Sequence, residues 1–342
     1  MRIWFSVILI FYAVLNWLIG RQIYDLLKIN KFAYWPIFVI IAISPLLGRL
    51  SLISILDKLG NYWLIFFYFA TFVAILGIFI KNKPFFIGCY LLIFLAIFYG
   101  ALHAKSIKVE PYNLAIPKKA NDLRVVMLSD IHIDKQKSAG YVAKMVQDIN
   151  ALNPDMVFLP GDIFDDRDIN SLKKEQETLK GIKTKYGVYG VLGNHEYYGG
   201  NLSESLAIFK EVNIQILRDE VIEVAGVYIV GREDASQKSR KGLVEILQNV
   251  DKTKPIILLD HQPVALDEAQ NNGVDLQLSG HTHRGQFFPN QLITKRIYEV
   301  DYGYLAKDNL QVIVSSGYGT WGPPVRIGTQ SEIIDLKINF DK

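Results

Sequence analysis

Asp130 and His132 stand two residues apart, just past an apolar run, Val125-Val126-Met127-Leu128, that reads as a buried strand. In extended chain, residues two apart point the same way. A carboxylate oxygen and an imidazole nitrogen are thereby aimed at one point, a pairing that suits a borderline transition metal. Asp-x-His is common by chance, but later turns repeat the arrangement. Gly161-Asp162-Ile163-Phe164-Asp165, Gly193-Asn194-His195-Glu196, Asp260-His261-Gln262-Pro263 and Gly280-His281-Thr282-His283 each follow an apolar run. The chain has six histidines, and five of them, His132, His195, His261, His281 and His283, fall in these turns. The spacing of His281 and His283 lets one loop serve two neighbouring metals.

The elements that must position these turns are an alternating series. Strands are expected at Arg124–Leu128, Met156–Leu159, Gly187–Leu192, Gly226–Val230, Pro255–Leu259, Val274–Leu278, Leu310–Val314 and Glu332–Lys337. Helices are expected at Ser138–Asn150, Ser171–Ile182, Ser203–Val212, Lys241–Asn249 and Ala265–Asn271. Early alternation followed by strand-rich sequence implies an α/β domain in layers, over residues 122–342. The chemically loaded turns all sit at carboxyl ends of strands, where ligands of open α/β sheets bind. Residues 105–121, polar and carrying Pro111 and Pro117, read as a linker.

Residues 1–104 have another character. Apolar stretches run over Ile3–Ile19, Phe32–Leu47, Tyr62–Ile80 and Phe85–Leu102. A helix needs about 20 apolar residues to cross the hydrocarbon of a bilayer, so four spans are expected. The second meets Arg49 early; it either runs on to Leu56 with Arg49 snorkelling, or leaves Leu50–Leu59 as an interfacial helix. Trp4, Trp17, Trp35 and Trp63 are placed near span ends, where aromatic belts form. Asn16 is the most polar side chain in these stretches and falls near an end, so the spans read as an anchor rather than a pathway. Four spans put the N-terminus, the second loop and the C-terminal domain on one side. That side carries Arg2, Arg49, Lys58, Lys105, Lys108, Lys118 and Lys119, the other Arg21, Lys28, Lys31, Lys81 and Lys83. The balance leans towards a cytoplasmic domain.

Charge excludes one class of partner. Residues 104–342 hold 29 of the 37 Lys/Arg and 32 of the 34 Asp/Glu. A domain of that balance has no basic surplus, so nucleic acid is not an expected partner. The single cysteine, Cys89, lies in an apolar stretch and rules out an intrachain disulfide.

Taken together, Asp130-x-His132, Gly161-Asp162-x-x-Asp165, Gly193-Asn194-His195-Glu196, His261 and Gly280-His281-x-His283 resemble the full motif set of the calcineurin-like metallophosphoesterases. Gly280–Gln286 and Gly317–Arg326 are similar to the bacterial phosphodiesterase branch, and the spans to its membrane-anchored members. The resemblance implies a four-layer αββα sandwich behind four transmembrane helices. It implies two divalent metal ions, Mn, Fe or Zn with Mn favoured. Asp130, His132, Asp162 and His283 would hold the first, and Asp162, Asn194, His261 and His281 the second, so that Asp162 bridges. It gives Asn194 and His195 catalytic parts, His195 as general acid or phosphate stabiliser. Asp165 is expected to support His132 or its loop, Asp166 to be solvated, and Glu196 to orient His195 or cap the next turn. Arg284 and Arg326 are candidate substrate contacts, since a guanidinium matches phosphate oxygens.

The expected function is a membrane-anchored hydrolase of phosphodiesters or pyrophosphates, with a lipid-linked substrate reached from the bilayer and water activated between two metals. Two alternatives remain: a phosphomonoesterase acting on phosphoproteins, and a membrane sensor or transport accessory without turnover. The second would need a damaged catalytic set, whereas Asn194 and His195 are intact.

Overall fold

The computed structural model describes residues 2–50, 54–135, 137, 140–165 and 168–341. Contacts divide the chain into two compact units, Met1–His103 with Gly322–Ile327, and Ala104–Trp321 with Gly328–Lys342. Asp166 and the side chain of Arg49 lie outside the described residues.

The first unit holds four helices, α1 (Arg2–Leu27), α2 (Lys31–Leu50), α3 (Ser54–Phe79) and α4 (Lys83–His103). All four are long and apolar enough to cross a membrane. Large apolar side chains such as Phe5, Ile8, Phe32, Phe79, Leu92 and Phe94 point outward, as helices embedded in lipid rather than water require. Three expectations bear on this unit. α1 runs on to Leu27 instead of stopping at Ile19, so Asn16 lies well inside it. There Asn16 is buried and accepts a hydrogen bond from Trp63 Nε1 at 3.2 Å, while Gln22 accepts from Tyr90 at 2.6 Å. Such bonds tie apolar helices together where no water competes. Next, α2 reaches Leu50 and α3 begins at Ser54, while residues 51–53 of the expected Leu50–Leu59 helix lie outside the described residues. Finally, Trp63 packs into the bundle interior, edge-on to Phe38 at 5.4 Å. α2 and α3 approach so closely that a Cβ at Gly60 would stand 2.7 Å from Pro45 Cα, the small-residue contact expected between helices in lipid.

The second unit begins with β1 (Ile107–Lys119), β2 (Leu123–Met127), α5 (Tyr141–Ala151), β3 (Met156–Pro160), α6 (Ile169–Lys174), α7 (Gln176–Leu179), β4 (Val188–Val191), α8 (Leu202–Glu211) and β5 (Ile214–Ile216). It continues with β6 (Glu220–Val224), β7 (Val227–Gly231), α9 (Leu243–Ile246), β8 (Ile256–Leu259), α10 (Leu266–Asn271), β9 (Leu276–Ser279), α11 (Gln291–Ile297), β10 (Gly303–Lys307), β11 (Leu310–Val314) and β12 (Ser331–Asp341). Two six-stranded sheets result, ordered β1-β12-β2-β3-β4-β5 and β10-β11-β9-β8-β7-β6.

Side chains on alternate strand residues face opposite ways, and that rule builds the layers. Val125, Met127, Met156 and Phe158 meet Ile257, Leu259, Leu276 and Leu278 between the two sheets. Val126, Leu128, Val157 and Leu159 face the other way, against Val142, Met145, Val146 and Ile149, which share one face of α5. Ile256, Leu258, Val312 and Val314 face Leu243, Ile246, Leu266 and Ala269 of α9 and α10. The domain is therefore an αββα sandwich. Strands buried on both faces read as near-continuous apolar runs, which explains why β2, β3 and β8 are visible in the sequence.

The expected linker is a correction. Residues 107–119 form β1, paired in parallel with β12 at the edge of the first sheet. Prolines tolerate an edge strand, where an N–H can face outward, so Pro111 and Pro117 did not signal a break. The single helix expected at Ser171–Ile182 is divided into α6 and α7. β5, β6, β10 and α11 were not expected; the strands among them are short or half-exposed, without a long apolar run.

Candidate metal centre

β2, β3, β4 and β5 run parallel, as do β7, β8 and β9. Their carboxyl ends therefore share an edge within each sheet, and the turns leaving those ends meet. Past Met127 the chain does not stay extended. Asp130 and His132 both adopt left-handed backbone, φ 53° and 49°, and their N–H groups donate to Gly161 O and Asp162 O. Their convergence thus comes from two turns running side by side, not from strand alternation. Asp162, His281 and His283 are left-handed too, φ 51°, 69° and 47°. Each such residue without a glycine costs about 1–3 kcal/mol and persists only where the surroundings impose it.

Among the described residues three overlapping groups of ligand-type atoms result: Asp130, His132 and His283; His132, Asp162 and His195; Asp162, His261 and His281. His132 Nε2 lies 3.1 Å from His283 Nε2, and His283 Nε2 lies 3.5 Å from Asp130 Oδ1. His281 Nδ1 lies 3.2 Å from His261 Nε2. Asp162 stands between the two sets. Its Oδ2 is 3.7 Å from His132 Nε2 and 3.3 Å from His261 Nε2, while its Oδ1 accepts from the His195 N–H at 3.0 Å. Gly193 leaves room for this: any Cβ there would collide with Asp162 Oδ1.

Neighbours hold each group in place. His261 Nδ1 faces Pro160 O at 2.9 Å and donates to it, which turns Nε2 towards Asp162. The His281 N–H donates to both oxygens of Asp130, each at 3.0 Å. Glu196 is fully buried and accepts from the N–H groups of Gly193, Asp162 and Phe164 at 2.7, 3.1 and 3.0 Å. It caps its own turn rather than the next one, and also laces that turn to the Asp162 loop. The Asp165 carboxylate faces His195 Nδ1 at 3.9 Å, and the Asp165 N–H donates to Ile133 O in the His132 loop at 3.2 Å.

Electrostatics follow from burial and pairing. Burial lowers His132 to about 3 and His281 to about 4, so both imidazoles stay neutral with a lone pair to offer. Burial raises Asp130 to about 6. Burial disfavours a charged His261, but the Asp162 carboxylate outweighs it and lifts His261 well above the ordinary imidazole value. Burial likewise works to raise Asp162, and His261, with His132 and His195 behind it, holds it well below the carboxylate range instead. Burial and the Asp162 charge push Glu196 up to about 8.

The donor set fits a pair of borderline divalent ions. Imidazole nitrogens and carboxylate oxygens are mixed in it. Asn194 Oδ1 is buried with no hydrogen-bond partner, while Asn194 Nδ2 donates to Tyr198 Oη at 2.6 Å. A buried amide oxygen left without a donor is costly, and a cation relieves that cost.

Of the expected substrate contacts, Arg284 stacks its guanidinium over Tyr302, 4.2 Å from the ring centroid. Arg326 belongs to the 322–327 segment grouped with the first unit, is fully buried, and its backbone N–H donates to Gly100 O at 3.0 Å. Two contacts that hold the His261 turn were given no role from the sequence. Asp260 is buried and gripped by Arg240 through two hydrogen bonds of 2.8 and 2.5 Å. Asp234 accepts from Gln262 Nε2 at 3.2 and 3.0 Å. Together they clamp the turn that carries His261 on both sides. The signal was there: Arg232-Glu233-Asp234 follows β7 at the same sheet edge. Tyr198 and Trp321, both mostly exposed, set their rings 4.9 and 6.3 Å from the His195 ring.

The calcineurin-like phosphoesterase family model matches residues 123–285. An uncharacterized metallophosphoesterase of Aquifex aeolicus is 33% identical over 259 residues, covering 72% of this chain and 98% of that protein. One from Helicobacter pylori is 33% identical over 247 residues, 70% of this chain and 66% of its own length. A Danio rerio transmembrane protein with metallophosphoesterase domain is 30% identical over 258 residues, 70% of this chain and 59% of its own. This chain thus spans just under two thirds of the Helicobacter protein and less of the fish one.

Proposed function

The chain belongs to the calcineurin-like phosphoesterase family, and from that premise we propose that it is a membrane-anchored hydrolase of phosphodiester or pyrophosphate bonds whose substrate carries a lipid part. The family is metal-dependent and acts on phosphoesters, and four helices of the chain are long and apolar enough to cross a membrane. The observation that carries the reading is Asp162, whose one carboxylate oxygen faces a histidine of each ligand set.

Asp130, His132, Asp162 and His283 would hold one ion, and Asp162, Asn194, His261 and His281 the other, Mn²⁺ being the ion we favour. When bound, such a pair activates water and neutralises charge developing on phosphate oxygens. The protein's own groups do the rest. Glu196 and the His195 N–H fix Asp162, so no reorganisation is needed when charge develops. His195, with Asp165 behind its Nδ1, is the group to donate a proton to the departing oxygen. Tyr198 and Trp321 supply an apolar rim, which supports a substrate with a lipid part.

Turnover of bis-p-nitrophenyl phosphate and p-nitrophenyl phosphate by the full-length protein with Mn²⁺ tests the bond class. Faster diester turnover is expected; faster monoester turnover would replace the reading by a phosphomonoesterase. His195→Ala should lower kcat by about 10²–10⁴ while bound metal stays unchanged.

A further inference from the structure

α11 is an unusual surface element. Among its residues Leu292, Ile293 and Ile297 are 59%, 55% and 66% exposed, and Phe288 just before it is 56% exposed. No residue of this helix is buried. Scattered apolar residues on a surface need no explanation, but four within ten positions form a patch of the kind that marks an interaction site. Its last turn carries Lys295 and Arg296, both exposed. Apolar residues beside basic ones are the composition of a helix that lies in a membrane interface.

Chain connectivity names the partner. Only residues 104–106 separate the end of α4 from β1, a reach of about 15 Å even when fully extended. The chain leaves the domain a second time at 322–327, the segment grouped with the membrane helices, where Arg326 N–H donates to Gly100 O in the last turn of α4. It re-enters at Gly328, and Phe288 and Gln291 flank that point: a Cβ on Gly328 would lie 3.8 Å from Phe288 Cβ and 3.4 Å from Gln291 Nε2. The apolar patch therefore packs beside Gly328, the residue at which the chain returns to the domain from 322–327.

We propose that Phe288 and α11 form an interfacial element that sinks Leu292, Ile293 and Ile297 into the headgroup boundary of an anionic bilayer, with Lys295 and Arg296 on the lipid phosphates. The metal centre is joined to it directly. His283 is followed by Gln286, which braces the Trp321 loop through Gln286 Nε2 to Trp321 O at 2.9 Å and Trp321 N–H to Gln286 Oε1 at 2.8 Å. Docking of α11 would thus hold the rim of the site at the lipid surface. The proposal needs no turnover to be true, so it can fail while the catalytic reading stands.

Site-directed spin labels test it in the full-length protein. With Cys89→Ser as background, single cysteines replace Leu292, Ile297 or, as control, the exposed Val244 of α9. Each protein is placed one copy per nanodisc, in phosphatidylcholine with or without phosphatidylglycerol. Labels at 292 and 297 are expected to favour collisions with oxygen over a water-soluble nickel chelate, and the label at 244 the reverse. Chelate access at 292 and 297 equal to that at 244 would overturn the proposal. Exclusion of both reagents, with or without the anionic lipid, would also overturn it and assign the patch to protein; if seen only in discs loaded with two copies, the partner is a second copy of this chain. Lys295→Gln with Arg296→Gln should shift both labels towards chelate access only where phosphatidylglycerol is present. No shift would refute the anionic-lipid contact.

Discussion

At the scale of the residue, the centre is a problem of like groups forced together. Histidine nitrogens stand 3.1 and 3.2 Å apart in two pairs, and Asp162 lies between the pairs. Replacing Asp162 by Asn keeps the shape and removes the charge shared by both sets. Bound metal, measured by elemental analysis of the purified full-length protein, should fall from two ions per chain towards none. Hydrolysis should fall by on the order of 10²–10³, the scale on which a preorganised electrostatic group acts. Two ions retained with full turnover would sink the assignment. Glu196 tests the support beneath it. Glu196→Ala strands three buried N–H donors, each costing about 1–3 kcal/mol. The melting temperature should drop and metal affinity weaken by about 10–100-fold, whereas Glu196→Gln, which restores one acceptor, should recover part of both. Residues of this kind were legible in the sequence only in part. Asp130, His132, Asp162, His195, His261, His281 and His283 declared themselves by type and by position after apolar runs. Glu196 and Asp165 were visible as carboxylates but not in their roles, because a role depends on which turn lies opposite. Asp234 and Arg240 went unread because neither offers a metal-ligand pattern.

At the scale of the element, the two sheets set the site by bringing strand ends to one edge, and the layer between them must stay rigid. Phe158 fills that layer from β3 and is fully buried. Phe158→Ala should cost about 3–5 kcal/mol through lost burial and the cavity left behind. The loss should appear in thermal unfolding of the full-length protein and be larger than for Val244→Ala, a solvent-facing change on α9. The Asp162 turn leaves the end of the same strand, so metal retention should weaken alongside stability. Central strands were read well because burial on both faces makes them continuous in Val, Ile and Leu. β1 was read as a linker because an edge strand alternates, tolerates proline and needs β12, far along the chain, before its hydrogen bonds have anywhere to go.

At the scale of the whole molecule, the charge balance around the spans is seven Lys/Arg against five, which leans the catalytic domain towards the cytoplasm. A cysteine at Lys105, in a Cys89→Ser background, should react with an impermeant maleimide only after cells are permeabilised; reaction in intact cells would place the domain outside. The sequence by itself determined the kinds of part: four apolar helices long enough to span a bilayer, because about 20 apolar residues in a row have few other uses, an α/β domain, and a set of ligand-type side chains at the ends of its strands. Tertiary structure alone decided which ligand faces which. Side-chain type and short spacing are local properties, but the pairing of His132 with His283, the sharing of Asp162, and the three N–H groups on Glu196 join residues far apart in the chain. Those relations exist only once parallel strands bring their carboxyl ends to a common edge.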